Sequence, residues 1–234
     1  MKKAIVLLSG GQDSTTCLYW AINKFGKENI KAIGFDYGQK HKAEIRQAQK
    51  IAEIAGVSYI VFPCAGLLGG SSLTNKYIDH NAPHSQSPDL PASFTAGRNI
   101  LFLTVAASYG HKWGITDIVT GVCQTDYSGY PDCRRDFINA MENSLGLGVY
   151  GSVYSKENLC NKSVNIHTPL MYLTKAETFK LAKELGCLDV VINYTMTDYN
   201  GNMKMNEWGM GEDNNPASSI RAKGYYEAKE KGWI

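Results

Sequence analysis

Val6-Leu7-Leu8-Ser9-Gly10-Gly11-Gln12-Asp13-Ser14 joins an apolar run to a helical pattern, and the reading of that junction decides the fold. Residues 4–8 are uniformly apolar and read as a buried strand, while residues 15–25 carry an apolar face at helical spacing. Between them the small-residue turn brings backbone N–H groups to a helix start. Those amides have no intrahelical acceptor, and the positive end of the helix dipole points the same way. Such a terminus binds phosphate. Gly10 and Gly11 let the backbone approach closely, and Ser9 and Ser14 add hydroxyl donors. Asp13 repels phosphate unless a cation stands between them, so the loop predicts a magnesium-bound nucleotide with Asp13 near the metal.

The spacing is neither the Gly-x-x-x-x-Gly-Lys-Ser/Thr of a Walker loop nor the Gly-x-Gly-x-x-Gly of a dinucleotide fold. It resembles the Ser-Gly-Gly-x-Asp-Ser loop of the PP-loop ATP pyrophosphatases, which adenylate a substrate and release pyrophosphate. Downstream, strand-like runs over 30–35, 59–62 and 117–120 alternate with helical patterns over 42–55 and 100–111. Alternation of this kind predicts βαβ units and a parallel sheet, with ligands at the loops that follow the strands. Those loops are residues 9–14, 36–41 and 121–134. Residues 66–95, rich in Gly, Ser, Asn and Pro, form a long excursion of the kind used as a lid or substrate wall. A helix returns over 175–185, the chain turns irregular after Asn193 with a turn at 199–202, and a last helix over 218–231 is interrupted near Gly224.

With 234 residues and a net charge of +2, the chain suits one elaborated α/β domain. Nothing in the charge points to nucleic acid or a membrane, and no apolar window is long enough for a span. The cytoplasm is the expected compartment, and the six cysteines, without a Cys-x-x-Cys pair, are expected to be reduced.

Four further segments carry chemistry. After the second strand, Phe35 and the adjacent edge amides are placed for adenine, with Asp36 and Gln39 available to ribose or base. His41 and Glu44 share a helix face, ordinarily as a cap and a surface ion pair. Arg98 and Asn99 begin a largely apolar helix and are placed to clamp a carboxylate or triphosphate. Residues 121–134 combine aromatics for stacking a flat heterocycle with the carboxylates Asp126 and Asp132 for guanine-like N–H groups. Cys123 and Cys133 read as small buried thiols. Lys175, opening a helix after Thr168-Pro169-Leu170, is placed for a phosphate or carboxylate.

Together these segments resemble the QueC family, the 7-cyano-7-deazaguanine synthases of the queuosine pathway. The matching strings run from Leu8-Ser9-Gly10-Gly11-Gln12-Asp13-Ser14 through Phe35-Asp36-Tyr37-Gly38-Gln39, His41-Lys42-Ala43-Glu44-Ile45 and Gly97-Arg98-Asn99. They continue through Ser128-Gly129-Tyr130-Pro131-Asp132-Cys133-Arg134 to Thr174-Lys175-Ala176-Glu177. The resemblance implies an α/β fold, a Rossmann-like parallel sheet of the PP-loop (adenine nucleotide alpha hydrolase-like) type with a smaller C-terminal helical elaboration. It implies ATP and magnesium as cofactors, 7-carboxy-7-deazaguanine as substrate, and a homodimer. The acid is adenylated, ammonia displaces AMP to give an amide, and a second ATP-dependent round yields the nitrile. On this reading Leu8, Ser9, Gly10, Gly11, Asp13, Ser14, Phe35 and Gln39 bind ATP. Arg98, Asn99, Asp126, Tyr130 and Asp132 bind the deazaguanine acid, and Asp13, Arg98 and Lys175 are catalytic.

The chain also departs from the family. A zinc site of four cysteines, the first in a Thr-Cys-Tyr-Asn-Gly string, belongs to the resemblance; here the string is Thr197-Asp198-Tyr199-Asn200-Gly201. No cysteine follows Cys187, so no zinc is expected. The expected division is 1–190 for the ATP and substrate domain, and 191–234 for a segment replacing the zinc subdomain. Carboxylates such as Asp198 and Glu212 suit an acceptor amine larger than ammonia. QueC-like proteins without the zinc cysteines resemble paralogues in type IV CBASS anti-phage operons, which join the acyl group to a partner protein's N-terminal amine. The acceptor is therefore ammonia or a protein amine, and a non-catalytic nucleotide sensor is a third reading.

Overall fold

The computed structural model describes residues 2–39, 42–75, 77–79, 82–124, 129–151, 163–197, 202–212 and 216–234. In chain order the first elements are β1 (Ala4–Leu7), α1 (Gln12–Phe25), β2 (Ile30–Asp36), α2 (Ala43–Ala55) and β3 (Ser58–Pro63). A hairpin of β4 (Pro83–His84) and β5 (Ser87–Pro91) precedes α3 (Arg98–His111), β6 (Asp117–Val119), α4 (Arg135–Gly148) and β7 (Asn165–His167). The chain closes with α5 (Lys175–Glu184), α6 (Leu188–Tyr194), the hairpin β8 (Met205–Asn206) and β9 (Gly209–Met210), and α7 (Pro216–Glu230). The central sheet is parallel throughout, in the order β3-β2-β1-β6-β7.

Alternation along β1 builds two cores. Ile5 and Leu7 point to one face and meet Leu103 and Ala106 of α3 and Ile138 and Met141 of α4. Ala4, Val6 and Leu8 point to the other and meet Leu18 of α1 and Ile51 of α2. A parallel strand covered on both faces has no solvent side, which is why residues 4–8 read as a continuous apolar run. Because every strand runs the same way, the loops after β1, β2 and β6 gather at one edge. Among the described residues no helix is long and apolar enough to cross a membrane.

A third core, of Phe179, Val191 and Ala228, joins α5, α6 and α7. The interruption expected near Gly224 does not occur, since α7 runs unbroken through it. A Cβ on Gly224 would lie 2.5 Å from Lys175 Cβ and 2.9 Å from the Lys175 carbonyl carbon, so this glycine permits close packing of α7 on α5. α4, α6 and β7 also exceed the sequence expectation. α4 nevertheless has the apolar spacing Ile138, Met141, Leu145 of a half-buried helix. The excursion over 66–95 is anchored, with the Ser71 and Thr95 hydroxyls 2.6 Å apart and Ser72 N–H donating to Ala92 O at 2.7 Å.

The described residues of α6, the β8–β9 hairpin and α7 meet around Arg221, which is fully buried. Its guanidinium donates to the carbonyls of Val191 (2.8 Å), Trp208 (2.9 Å) and Thr195 (3.3 Å) and to the Thr197 hydroxyl (3.0 Å). Burial pulls its pKa down to about 10, partly offset by Asp13, so it remains charged at neutral pH. One residue from Thr195, Met196 N–H donates to Gly10 O at 3.1 Å, which ties this segment to the first loop.

Candidate active site

A cavity of about 470 Å³ opens where the loops after β1, β2 and β6 converge, within the range that holds nucleotide-sized ligands. Its floor is the turn into α1. The Ser14 hydroxyl donates to Gly11 O at 3.1 Å and accepts from Ser9 N–H at 3.2 Å, and the Ser9 hydroxyl lies 3.1 Å from it. Thr15 N–H makes the first intrahelical bond, to Gly11 O, so the preceding amides of the helix start have no helical acceptor. These are the residues from which the sequence leads one to expect anion binding. Gly10 itself is not at the cavity surface. It adopts a φ of 91° and lies under α2, where a Cβ would come 2.4 Å from Glu44 O.

Asp13 meets Lys175 across this floor, Oδ2 to Nζ at 2.6 Å. The contact has a local cause. Thr174 and Glu177 form a reciprocal capping box that starts α5 and places Lys175 at its first position. The Glu177 carboxyl is held below the usual carboxylate range by the Thr174 backbone N–H and hydroxyl. The other Asp13 oxygen, Oδ1, is buried without a partner among the described residues. An orphaned carboxylate oxygen beside a helix-start turn fits a hard divalent cation. Gln12, which the sequence reading passed over, is 3% exposed and lines the cavity, with both carboxamide atoms unpartnered among the described residues. A polar ligand would satisfy both its donor and its acceptor.

The opposite wall centres on Arg98, at the first position of α3. Burial works against its charge, but Tyr37, Tyr130 and the Asp132 carboxylate more than offset this and hold its pKa above the ordinary arginine value. The Tyr37 phenol, raised mainly by burial, hydrogen-bonds the guanidinium. Tyr130 lines the same wall with its hydroxyl 2.6 Å from the Ser93 hydroxyl. Leu8, Ser9, Gly11, Ser14, Phe35, Gln39 and Asn99 also face the cavity.

Other expected residues are placed differently. Gln39 turns back on the end of β2, accepting from Tyr37 N–H at 2.9 Å and donating to Phe35 O at 3.1 Å, so these edge groups are occupied rather than open to adenine. Asp36 pairs with Lys42 at 2.8 Å and is held below the usual carboxylate range chiefly by that contact. Asp132 does not line the cavity. Gly97 offers no side chain to cap α3, and Asp132 Oδ2 instead accepts from Asn99 N–H at 3.3 Å while Asn99 Nδ2 donates to Asp132 O at 3.1 Å. Cys123 donates to Leu173 O at 3.2 Å. Glu212 is not among the cavity residues, and Asp126, Asp198 and His41 lie outside the described residues.

The surface ion pair expected of Glu44 is corrected. Its side chain lines the cavity, and burial, opposed by the nearby Arg98 charge, raises its pKa to about 7. The same burial, with the Glu44 charge beside it, pushes the Tyr59 phenol up. The sequence signal was present, since Glu44 stands in the first turn of the helix after the second site loop. Its direction depends on how α2 packs.

Comparison with known proteins gives a consistent set of likenesses. The model of the family described as Queuosine biosynthesis protein QueC matches residues 3–229. A 7-cyano-7-deazaguanine synthase of Wolinella succinogenes is 44% identical over 96% of this chain and 92% of its own length. The proteins of the same name from Chromobacterium violaceum and Helicobacter pylori are 44% and 43% identical, each over 97% of this chain and over 90% and 96% of their own lengths.

Proposed function

The chain belongs to the QueC family, and from that premise we propose that it is an ATP-dependent carbon–nitrogen ligase that converts 7-carboxy-7-deazaguanine to the 7-amide and then the 7-nitrile. One observation supports this most directly. The phosphate-binding turn with its Asp13–Lys175 pair and the Arg98–Tyr37–Tyr130 wall open into one cavity.

A carboxylate is a poor electrophile. In the first step one of its oxygens attacks the α-phosphorus of ATP, the bond to the bridging oxygen breaks, and pyrophosphate leaves with the electron pair. Ser9, Gly11 and Ser14, with the helix-start amides, hold the departing phosphates. Lys175 balances the charge that develops on them. Arg98 orients the substrate carboxylate, and Tyr130 lies along the heterocycle. Asp13 would hold magnesium, which would neutralise charge on the phosphates when bound.

The test is incubation with ATP, magnesium, the deazaguanine acid and ammonium, reading pyrophosphate release and product masses. Acid-dependent pyrophosphate release with amide and nitrile masses is expected. No release under any condition would favour a nucleotide sensor. An acyl adduct on a partner protein without free nitrile would place the reaction in protein conjugation instead.

A further inference from the structure

We propose that Glu44 is the proton acceptor for the nitrogen nucleophile. It lies between the phosphate-binding turn and the Arg98 wall, where the acyl adenylate must form. The inference rests on the ligase reading above and assigns the nitrogen step of that reaction to a side chain.

Placement carries the argument. The first turn of α2 lies directly on the loop because Gly10 has no side chain, so the Glu44 backbone touches the turn that holds the phosphates. The side chain extends into the cavity, where Arg98 on α3, Tyr37 after β2 and Tyr59 on β3 are its ionisable neighbours. The Asp13–Lys175 pair on α1 and α5 shares the cavity. Asp13 and Lys175 neutralise one another, and Arg98 and Lys175 are cations. Glu44 is thus the carboxyl in this wall not joined to a lysine. Among the described residues, burial and the Arg98 charge set its ionisation, and no hydrogen bond holds its charged form.

The chemistry balances with Glu44 in this role. Ammonia adds its lone pair to the acyl carbon of the adenylate, forming the C–N bond. One N–H proton passes to the Glu44 carboxylate. The acyl C–O bond then breaks, with its electron pair leaving on the phosphate of AMP. A base works best when its pKa lies near the working pH, and Glu44, raised to about 7, meets that condition. An ordinary surface glutamate would hold a nitrogen proton too weakly.

The test uses Glu44→Gln with two nitrogen nucleophiles. Acid-dependent pyrophosphate release in the first half-reaction should fall far less than amide formation. Amide formation from ammonia should fall by about 10²–10⁴-fold, the usual contribution of a positioned base. Hydroxamate formation from hydroxylamine, whose adduct loses its proton readily to water, should fall far less. Wild-type amide formation should rise with pH through an inflection near 7 that the variant lacks. Amide formation unchanged in the variant, or pyrophosphate release and hydroxamate formation falling in parallel with it, would overturn the assignment. Absence of acid-dependent pyrophosphate release in the wild-type protein would overturn the ligase reading itself, and with it this inference, a result distinct from any effect of the substitution.

Discussion

Glu44→Gln should stabilise the folded chain, and by an amount that depends on pH. In the unfolded chain the carboxyl titrates near its ordinary value of 4.5, whereas in the fold burial raises it to about 7. Below the lower value both states are protonated and the group is neutral with respect to folding. As pH rises, the unfolded chain releases its proton first and the folded chain holds it. Stability therefore falls until pH passes about 7, and the loss is constant above that. Each unit of difference corresponds to about 1.4 kcal/mol, which sets a ceiling of about 3 kcal/mol for this window. Partial exposure to the open cavity reduces the expected figure to about 2 kcal/mol. Glutamine has nearly the same shape and no titration. Urea unfolding of the nucleotide-free proteins at about pH 4 and about pH 8 measures the difference. The variant should be nearly equal to wild type at the lower pH and about 2 kcal/mol more stable at the higher. A difference that is flat with pH, or that favours wild type as pH rises, would refute the raised carboxyl and remove one support of its role as a base.

Three other substitutions test other parts of the structure. Arg221→Met leaves the carbonyls of Val191, Thr195 and Trp208 without the donor that holds them, and should destabilise by about 3–5 kcal/mol. Thermal unfolding and amide exchange in α7 would report it, and unchanged exchange there would count against Arg221 as the hub. Gly224→Ala would ordinarily favour a helix, but its Cβ would sit 2.5 Å from that of Lys175. The steric term should dominate, with a net loss of about 1–3 kcal/mol in urea unfolding; a gain in stability would refute the packing argument. Lys175→Met removes the cation that meets Asp13 Oδ2 and should lower kcat/KM for pyrophosphate release by about 10–100-fold. Unchanged kinetics would separate this pair from the reaction.

The centre of the sheet was legible because β1 is buried on both faces, so residues 4–8 are apolar without interruption. The turn into α1 was legible because its pattern is local, with glycines, hydroxyls and a helix start within six residues. What sequence could not give is direction. Asp132 and Glu44 are both acidic residues next to site loops. Only the packing of α3 turns one towards a helix terminus, and only the packing of α2 turns the other into the cavity. Gly224 shows the same limit, since a glycine within a helical pattern reads as a break until the neighbouring helix is in place. β7 spans three residues and α6 seven, too short for a period to emerge from composition.

The C-terminal segment joins these observations. A tetrahedral thiolate site would clamp side chains and leave the backbone between them to follow. Arg221 acts on the backbone directly, because three of its four acceptors are main-chain carbonyls and the fourth is the Thr197 hydroxyl. The planar fork of a guanidinium suits several acceptors at fixed angles, whereas a lysine ammonium would reach fewer of them. The acceptors at Thr195 and Thr197 flank Met196, whose N–H holds Gly10 O, and Thr197, Ala217 and Ile220 line the cavity. One buried side chain thus fixes the path of the segment that bonds the turn into α1 from behind. Loosening Arg221 should therefore reach the nucleotide site through Met196 and Gly10, even though Arg221 itself does not line the cavity.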